Sequence, residues 1–253
     1  MIKTLYKYTL IAIFLFACKN EKVVKEYYSN GNLKFTVQVD EKGVQNGLYE
    51  QYYDSGELLK KLTYKEGKIV DTVLIYYKNG KVKEKGKLYN DSLKIGWWNY
   101  YSSNGNLINK NEYLILGDSI YKNQTIKFQP DGTIDEQESS YFTLEIPDTL
   151  LLGKNVGKLY YSSNFINASD KILDVIIENE YLNSEIKLDT FGERPNETRF
   201  GVFANKIGYK TIKGSTLETL FYKNRITVDS FNLTIKTHKK YFEKKLYVKD
   251  TID

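Results

Sequence analysis

A turn that returns about every 25 residues constrains this chain more than any other feature of its sequence. Asn30-Gly31, Ser55-Gly56, Asn79-Gly80, Asn104-Gly105 and Asp131-Gly132 stand between apolar runs, with the glycines 25, 24, 25 and 27 residues apart. Such dipeptides favour two-residue type I′ hairpins, in which both central residues need positive φ. Gly31, Gly56, Gly80, Gly105 and Gly132 are therefore expected to be structural turn residues. The flanks repeat as well. An aromatic residue stands four places before each glycine (Tyr27, Tyr52, Tyr76, Tyr101, Phe128) and an aliphatic one two places after it (Leu33, Leu58, Val82, Leu107, Ile134). Paired across a hairpin, each couple contributes about 0.2–1 kcal/mol. Five hairpins in series predict one long meandering antiparallel sheet. The 23 tyrosines suit half-buried strands, and the three prolines argue against a largely disordered chain.

The segment Gly96-x-Trp98-x-x-Tyr101-x-x-Asn104-Gly105-x-Leu107 resembles the variant MORN repeat of bacterial YwqK-type antitoxins. Gly47-x-Tyr49-x-x-Tyr52-x-x-Ser55-Gly56-x-Leu58 follows the same pattern, with Tyr for Trp and Ser for Asn. The other three units lack the leading glycine and aromatic. The resemblance spans roughly residues 26–140. It implies a twisted ribbon of stacked β-hairpins, a scaffold that serves varied partners. Doubled aromatics recur along it, and neighbouring side chains on a strand point to opposite faces. Tyr28, Tyr53, Tyr77 and Trp97 are accordingly the candidate binding residues. Packing on the adjacent hairpin is the competing role for each repeat aromatic.

After Ser140 the period stops. Leu173, Val175 and Ile177 alternate, as do Ile226 with Val228, then Phe231, Leu233 and Ile235. Phe200, Val202 and Phe203 mark another strand, and Leu246 with Val248 the last. With 142–146, 158–161 and 185–188 added, these short strands suggest an immunoglobulin-like β-sandwich over residues 141–253. The whole chain is thus expected to be all-β, a repeat ribbon of antiparallel hairpins over 26–140 followed by that sandwich.

The N-terminus reads differently. Lys3 and Lys7 precede the apolar run Thr9 to Ala17, which is too short for a spanning helix of about 20 residues and has the length of a signal-peptide core. Leu15-Phe16-Ala17-Cys18 then resembles the lipobox of bacterial lipoproteins. That resemblance implies a signal peptide over 1–17, lipidation of Cys18 and a tether over 18–25. Lipid on Cys18 makes the membrane a partner, since two or more acyl chains anchor stably. Lys19 in place of Asp after the cysteine favours the outer membrane of a Gram-negative cell.

Residues with reaction chemistry are sparse. His238, the only histidine, lies in Thr237-His238-Lys239-Lys240 between two predicted strands, where a solvated hairpin tip is expected. Cys18 is the only cysteine, so no zinc set of His and Cys can form. Asp135, Glu136 and Glu138 are expected on one strand, Glu136 and Glu138 on one face, more a solvated edge than a cation site. No phosphate-binding or dinucleotide fingerprint occurs. The formal net charge is +5, two units of which belong to Lys3 and Lys7, too weak and too scattered for nucleic acid. The sequence therefore points to a non-enzymatic protein without catalytic residues, metal or cofactor. It would be an envelope lipoprotein binding a protein or a glycan. An antitoxin-like or immunity-type binder is the alternative, and an enzyme with an unrecognised acidic site ranks last.

Overall fold

A computed structural model describes residues 22–182, 184–192, 194–227 and 230–250. All regular structure in it is β. The first ten strands are β1 (Lys22–Tyr27), β2 (Leu33–Val39), β3 (Gln45–Tyr52), β4 (Leu58–Lys65), β5 (Lys68–Ile69), β6 (Val73–Tyr76), β7 (Val82–Tyr89), β8 (Leu93–Tyr101), β9 (Leu107–Leu116) and β10 (Ser119–Lys127). They form one antiparallel sheet in chain order, with β5 attached to β4. The expected aromatic–aliphatic couples are direct partners: Tyr27 with Leu33, Tyr52 with Leu58, Tyr76 with Val82, Tyr101 with Leu107 and Phe128 with Ile134.

The turns themselves are one residue longer than expected. In each repeat the glycine N–H donates to the carbonyl three residues back, as from Gly80 to Tyr77 at 2.9 Å, and Tyr77 N donates to Lys81 O at 2.9 Å. Gly31, Gly56, Gly80, Gly105 and Gly132 have φ of 86, 102, 80, 93 and 87°, whereas the residue before each is absent from the positive-φ region. This is a type I turn followed by a left-handed glycine, the three-residue hairpin with a G1 bulge. Asn is chosen for its side chain: Asn79 Oδ1 accepts from Lys81 N at 3.1 Å while Nδ2 donates to Ser103 O in the next turn at 2.9 Å. Paired positive φ, the type I′ signature, occurs instead at Glu66-Gly67 and Asn90-Asp91.

One ribbon face carries a core of Val37, Val39, Leu62, Tyr64, Val73 and Trp98. Trp98 lies flat where Gly86 leaves room, and its Nε1 donates to Lys87 O at 2.9 Å.

The remaining strands are β11 (Tyr141–Glu145), β12 (Thr149–Leu151), β13 (Gly153–Ser162), β14 (Asp170–Glu180), β15 (Ile186–Phe191), β16 (Glu197–Ala204), β17 (Gly208–Arg225) and β18 (Phe231–Lys249). They make two sheets, β11-β13-β16 and β12-β18-β17-β14-β15. With β11, β13, β14, β16, β17 and β18 taken as A, B, C, E, F and G, the order is A-B-E over G-F-C, the immunoglobulin arrangement with an added strand beside C. Leu159, Leu173, Val175, Ile177, Phe200, Val202, Ile212, Leu246 and Val248 are buried between the sheets.

Four expectations need correction. β17 had no sequence counterpart, because its inward positions include Gly214, Thr216 and Glu218. Ile226 sits in the β17–β18 turn and Val228 lies outside the described residues, while Phe231, Leu233 and Ile235 alternate on a strand but are exposed. His238 is not at a tip but inside β18, paired with Glu218. Asp135, Glu136 and Glu138 occupy a turn, not a strand; Asp135 Oδ1 accepts from Gln137 N and Glu138 N, and Glu138 pairs with Lys127 at 2.8 Å.

Candidate functional site

The two parts meet where β10 runs against β18. Tyr121 Oη donates to Lys239 O. The Asn123 side chain donates to Tyr241 O and accepts from Tyr241 N, both at 2.8 Å. Thr125 exchanges two backbone bonds with Ser140, and Gln124 Oε1 accepts from Phe142 N at 2.8 Å. The last ribbon strand thereby uses side chains to finish a sheet edge that it does not join.

Behind this seam lies a buried polar cluster. Lys240 Nζ donates to Ser140 Oγ at 2.7 Å and to Tyr161 Oη at 2.9 Å. It also lies 3.2 Å from His238 Nδ1. Tyr161 Oη donates to Glu218 Oε2 at 3.3 Å, and His238 Nδ1 is 3.8 Å from the same oxygen. Lys240, Glu218 and Tyr161 are buried, and Glu218 Oε1 has no partner among the described residues.

Burial drives the electrostatics. Loss of solvent pulls the Lys240 ammonium down to about 8, with Glu218 opposing. Burial and the Glu218 charge push the Tyr161 phenol well above its ordinary range. Burial also pushes the Glu218 carboxyl up, but the polar contacts of His238 and Ser163 and the charge of Lys240 outweigh it and leave the carboxyl below its usual range. A cavity of about 300 Å³ opens beside the cluster, lined by Lys122, Asn123, Asn164, Phe165 and His238 among others. Lys240 Nζ is held among Ser140, Tyr161 and His238. The cluster therefore works as a cross-link: Ser140 stands just before β11 and is bridged to the ribbon's Thr125, Tyr161 belongs to one sheet, and Glu218, His238 and Lys240 to the other. Its sequence signal was weak, because Lys239-Lys240 beside the histidine reads as a solvated loop.

The ribbon's candidate binding residues divide. Tyr28 Oη donates to Tyr52 O at 2.7 Å, Tyr53 Oη to Tyr76 O at 2.7 Å and Tyr77 Oη to Tyr101 O at 2.8 Å. These half-buried phenols are rungs that tie each repeat to the next. Trp97 is different. It is 38% exposed and points away from the face on which Trp98 is buried, with Lys110 Nζ 5.4 Å above its ring. Tyr101, four residues on and on the same face, carries Lys85 at 5.5 Å. The five turn glycines each stand at positive φ in a hairpin turn.

Cys18, the signal segment and the start of the tether lie outside the described residues. Among the described residues no group of His, Cys, Asp and Glu could hold a metal ion, and no helix is long and apolar enough to cross a membrane.

Residues 20–40, 45–66 and 72–91 match the family model described as MORN repeat variant. They comprise the hairpins β1–β2, β3–β4 and β6–β7, while β5 lies between two of the matched stretches. The units around Asn104-Gly105 and Asp131-Gly132 lie beyond the matched stretches but close with the same turn. No curated protein and no solved structure matches the chain. The chain thus carries MORN-variant repeats in its N-terminal ribbon, a repeat-based scaffold of the kind that serves as a binding module.

Proposed function

We propose that this protein is an exported lipoprotein, cut before Cys18 and held on a membrane by lipid on that cysteine. Its ribbon offers a non-catalytic binding surface to a protein or glycan of the cell envelope. The observation that carries the binding reading is the outer ribbon face, where exposed Trp97 and half-buried Tyr101 sit beneath Lys110 and Lys85. Aromatic rings with cations above them suit polar partners that bear acidic groups. The tyrosine rungs support the same reading, because they hold successive repeats in fixed register and so present a rigid face. The anchoring reading rests on the lipobox-like Leu15-Phe16-Ala17-Cys18, and Lys19 favours the outer membrane.

Two measurements test this. Cys18→Ser in the full chain should abolish labelling by fatty acid and move the protein out of the membrane fraction; unchanged labelling and fractionation would end the lipoprotein reading. Trp97→Ala should reduce capture of the wild-type partners from envelope extract at unchanged stability. Equal capture by both proteins would place the binding surface elsewhere.

A further inference from the structure

The free edge of β18 singles itself out. Backbone groups along a strand point alternately to its two neighbours. In β18 the groups of Lys239 and Tyr241 point away from β17, since Tyr121 and Asn123 of the ribbon take up the Lys239 carbonyl and both groups of Tyr241. β17 and β18 pair without a bulge from Phe231 to Val248. The N–H and C=O groups of Phe231, Leu233, Ile235 and Thr237 therefore point to the same open side. Among the described residues nothing bonds to them there. The rest of this edge is protected. β12 covers Tyr247 to Lys249, ribbon side chains cover Lys239 and Tyr241, and Glu243, Lys244 and Lys245 put charge between. The ribbon's own terminal edge, β1, carries Lys22, Lys25 and Glu26. The segment Phe231 to Thr237 has one charge, Lys236, and no proline. Phe231, Leu233 and Ile235 are 60, 48 and 55% exposed. Natural sheets blunt such edges with charge, proline or bulges, and this one is left open.

We propose that this edge pairs antiparallel with the same edge of a second copy of the chain, joining the two β18 strands about a two-fold axis at Thr234. The segment is self-complementary in that register. Leu233 faces Ile235, Phe231 faces Thr237, and Lys236 faces Asn232, so no like charges oppose. The odd-numbered residues, whose backbone groups are free, meet one another as the hydrogen-bonded pairs. The even-numbered ones meet as the close, non-bonded pairs. The pairing ends at Thr237, two residues before the ribbon closes the edge at Lys239. A dimer of this kind would also set two lipid anchors and two ribbons on one particle.

The test uses the full chain. Cys18 is the only cysteine, so Cys18→Ser with Thr234→Cys leaves one thiol per chain. Facing Thr234 residues form a non-bonded pair with Cα atoms about 4.5 Å apart, within disulfide reach. Mild oxidation should convert this variant to a covalent dimer, whereas Lys223→Cys in the same background, on β17 and away from the edge, should form no covalent cross-link. In sedimentation, the Cys18→Ser chain should run as a dimer. Leu233→Pro removes an edge N–H that has no internal partner, and Ile235→Lys puts charge on the edge. Each should raise the dimer dissociation constant by roughly tenfold or more while the thermal transition persists. Ile172→Lys, on the same outer sheet face but off the edge, should leave the dimer intact. A monomeric Cys18→Ser chain overturns the proposal. So does a dimer that Thr234→Cys fails to cross-link, or one that Ile172→Lys dissolves as readily as Ile235→Lys.

Discussion

Gly86→Ala should damage the ribbon more than Gly80→Ala, for a different reason. Gly80 has φ +80° and nothing within 4 Å of where a Cβ would stand. Its substitution costs only the left-handed penalty of about 1–2 kcal/mol, partly offset by about 0.4–1 kcal/mol of reduced unfolded-state entropy. At Gly86 a Cβ would lie 2.4 Å from Trp98 Cδ2 and Cε2. Trp98 cannot yield easily: it is 1% exposed and tied by Nε1 to Lys87 O. Forcing a methyl group into a filled core costs about 1–3 kcal/mol, and a displaced indole would lose its hydrogen bond as well. A net loss of about 2–3 kcal/mol is expected for Gly86→Ala against about 1 kcal/mol or less for Gly80→Ala. The assay is urea unfolding of the full chain followed by tryptophan fluorescence. Both tryptophans, Trp97 and Trp98, lie in β8, so the signal reports the ribbon alone. Trp98→Leu should be costly by itself but make Gly86→Ala nearly free, a coupling of at least about 1 kcal/mol. Additive effects of the two substitutions, or a neutral Gly86→Ala, would refute the stacking of Trp98 on Gly86.

Lys240 gives a pH prediction. With its folded-state pKa near 8 against 10.5 when unfolded, the unfolded chain holds more protons between those values, so stability should rise with pH across that window. The gain amounts to about 3 kcal/mol; Lys240→Met should remove the rise, and equal slopes for the two proteins would contradict the buried-ammonium assignment. Tyr77→Phe deletes one rung and leaves the Tyr101 carbonyl without it, costing the ribbon about 1 kcal/mol in the fluorescence-detected transition. Asn123→Ala strips both bonds from Tyr241 and should separate the ribbon and sandwich transitions, seen as divergence between tryptophan fluorescence and circular dichroism. A single shared transition in that variant would mean the seam is held by other contacts.

How much of this could be read from the sequence depends on which neighbours supply each signal. The ribbon was legible because its turns and flanks are local: an aromatic and an aliphatic residue six positions apart become partners across one hairpin. The turn type was misjudged because Asn-Gly suits two geometries, and the choice is made by Asn79 Nδ2 reaching Ser103 O in the next repeat, 24 residues on. The rungs are non-local in the same way. Tyr28, Tyr53 and Tyr77 look like one half of an exposed doublet until the next repeat's carbonyl is placed over them. Trp97 was legible for the opposite reason, since alternation alone puts it on the face opposite Trp98. The sandwich strands with two apolar walls, such as Leu173, Val175 and Ile177, were equally plain.

β17 and β18 hid their signal in pair register. The inward positions of β17 run Ile212, Gly214, Thr216, Glu218 and Leu220, and no apolar alternation survives. Their partners across the hairpin are Lys244, Phe242, Lys240, His238 and Lys236. Each break in one strand is answered in the other. Gly214 has no side chain where Phe242 needs space, for a Cβ there would lie 2.4 Å from the Phe242 ring. Thr216 stands opposite buried Lys240, and Glu218 opposite His238. A long regular hairpin is open to slippage by two residues, a shift that keeps every side chain on its face and that hydrophobic patterning cannot oppose. Here slippage one way would drive Phe242 against Thr216 and leave the space at Gly214 to Lys244. Slippage the other way would put Lys240 at Gly214, away from Ser140 and Tyr161, and Lys236 opposite Glu218. The polar and glycine positions that make these strands unreadable singly thus fix how they pair. That register also sets the edge at Phe231 to Thr237 and the seam at Lys239 and Tyr241 side by side on one strand.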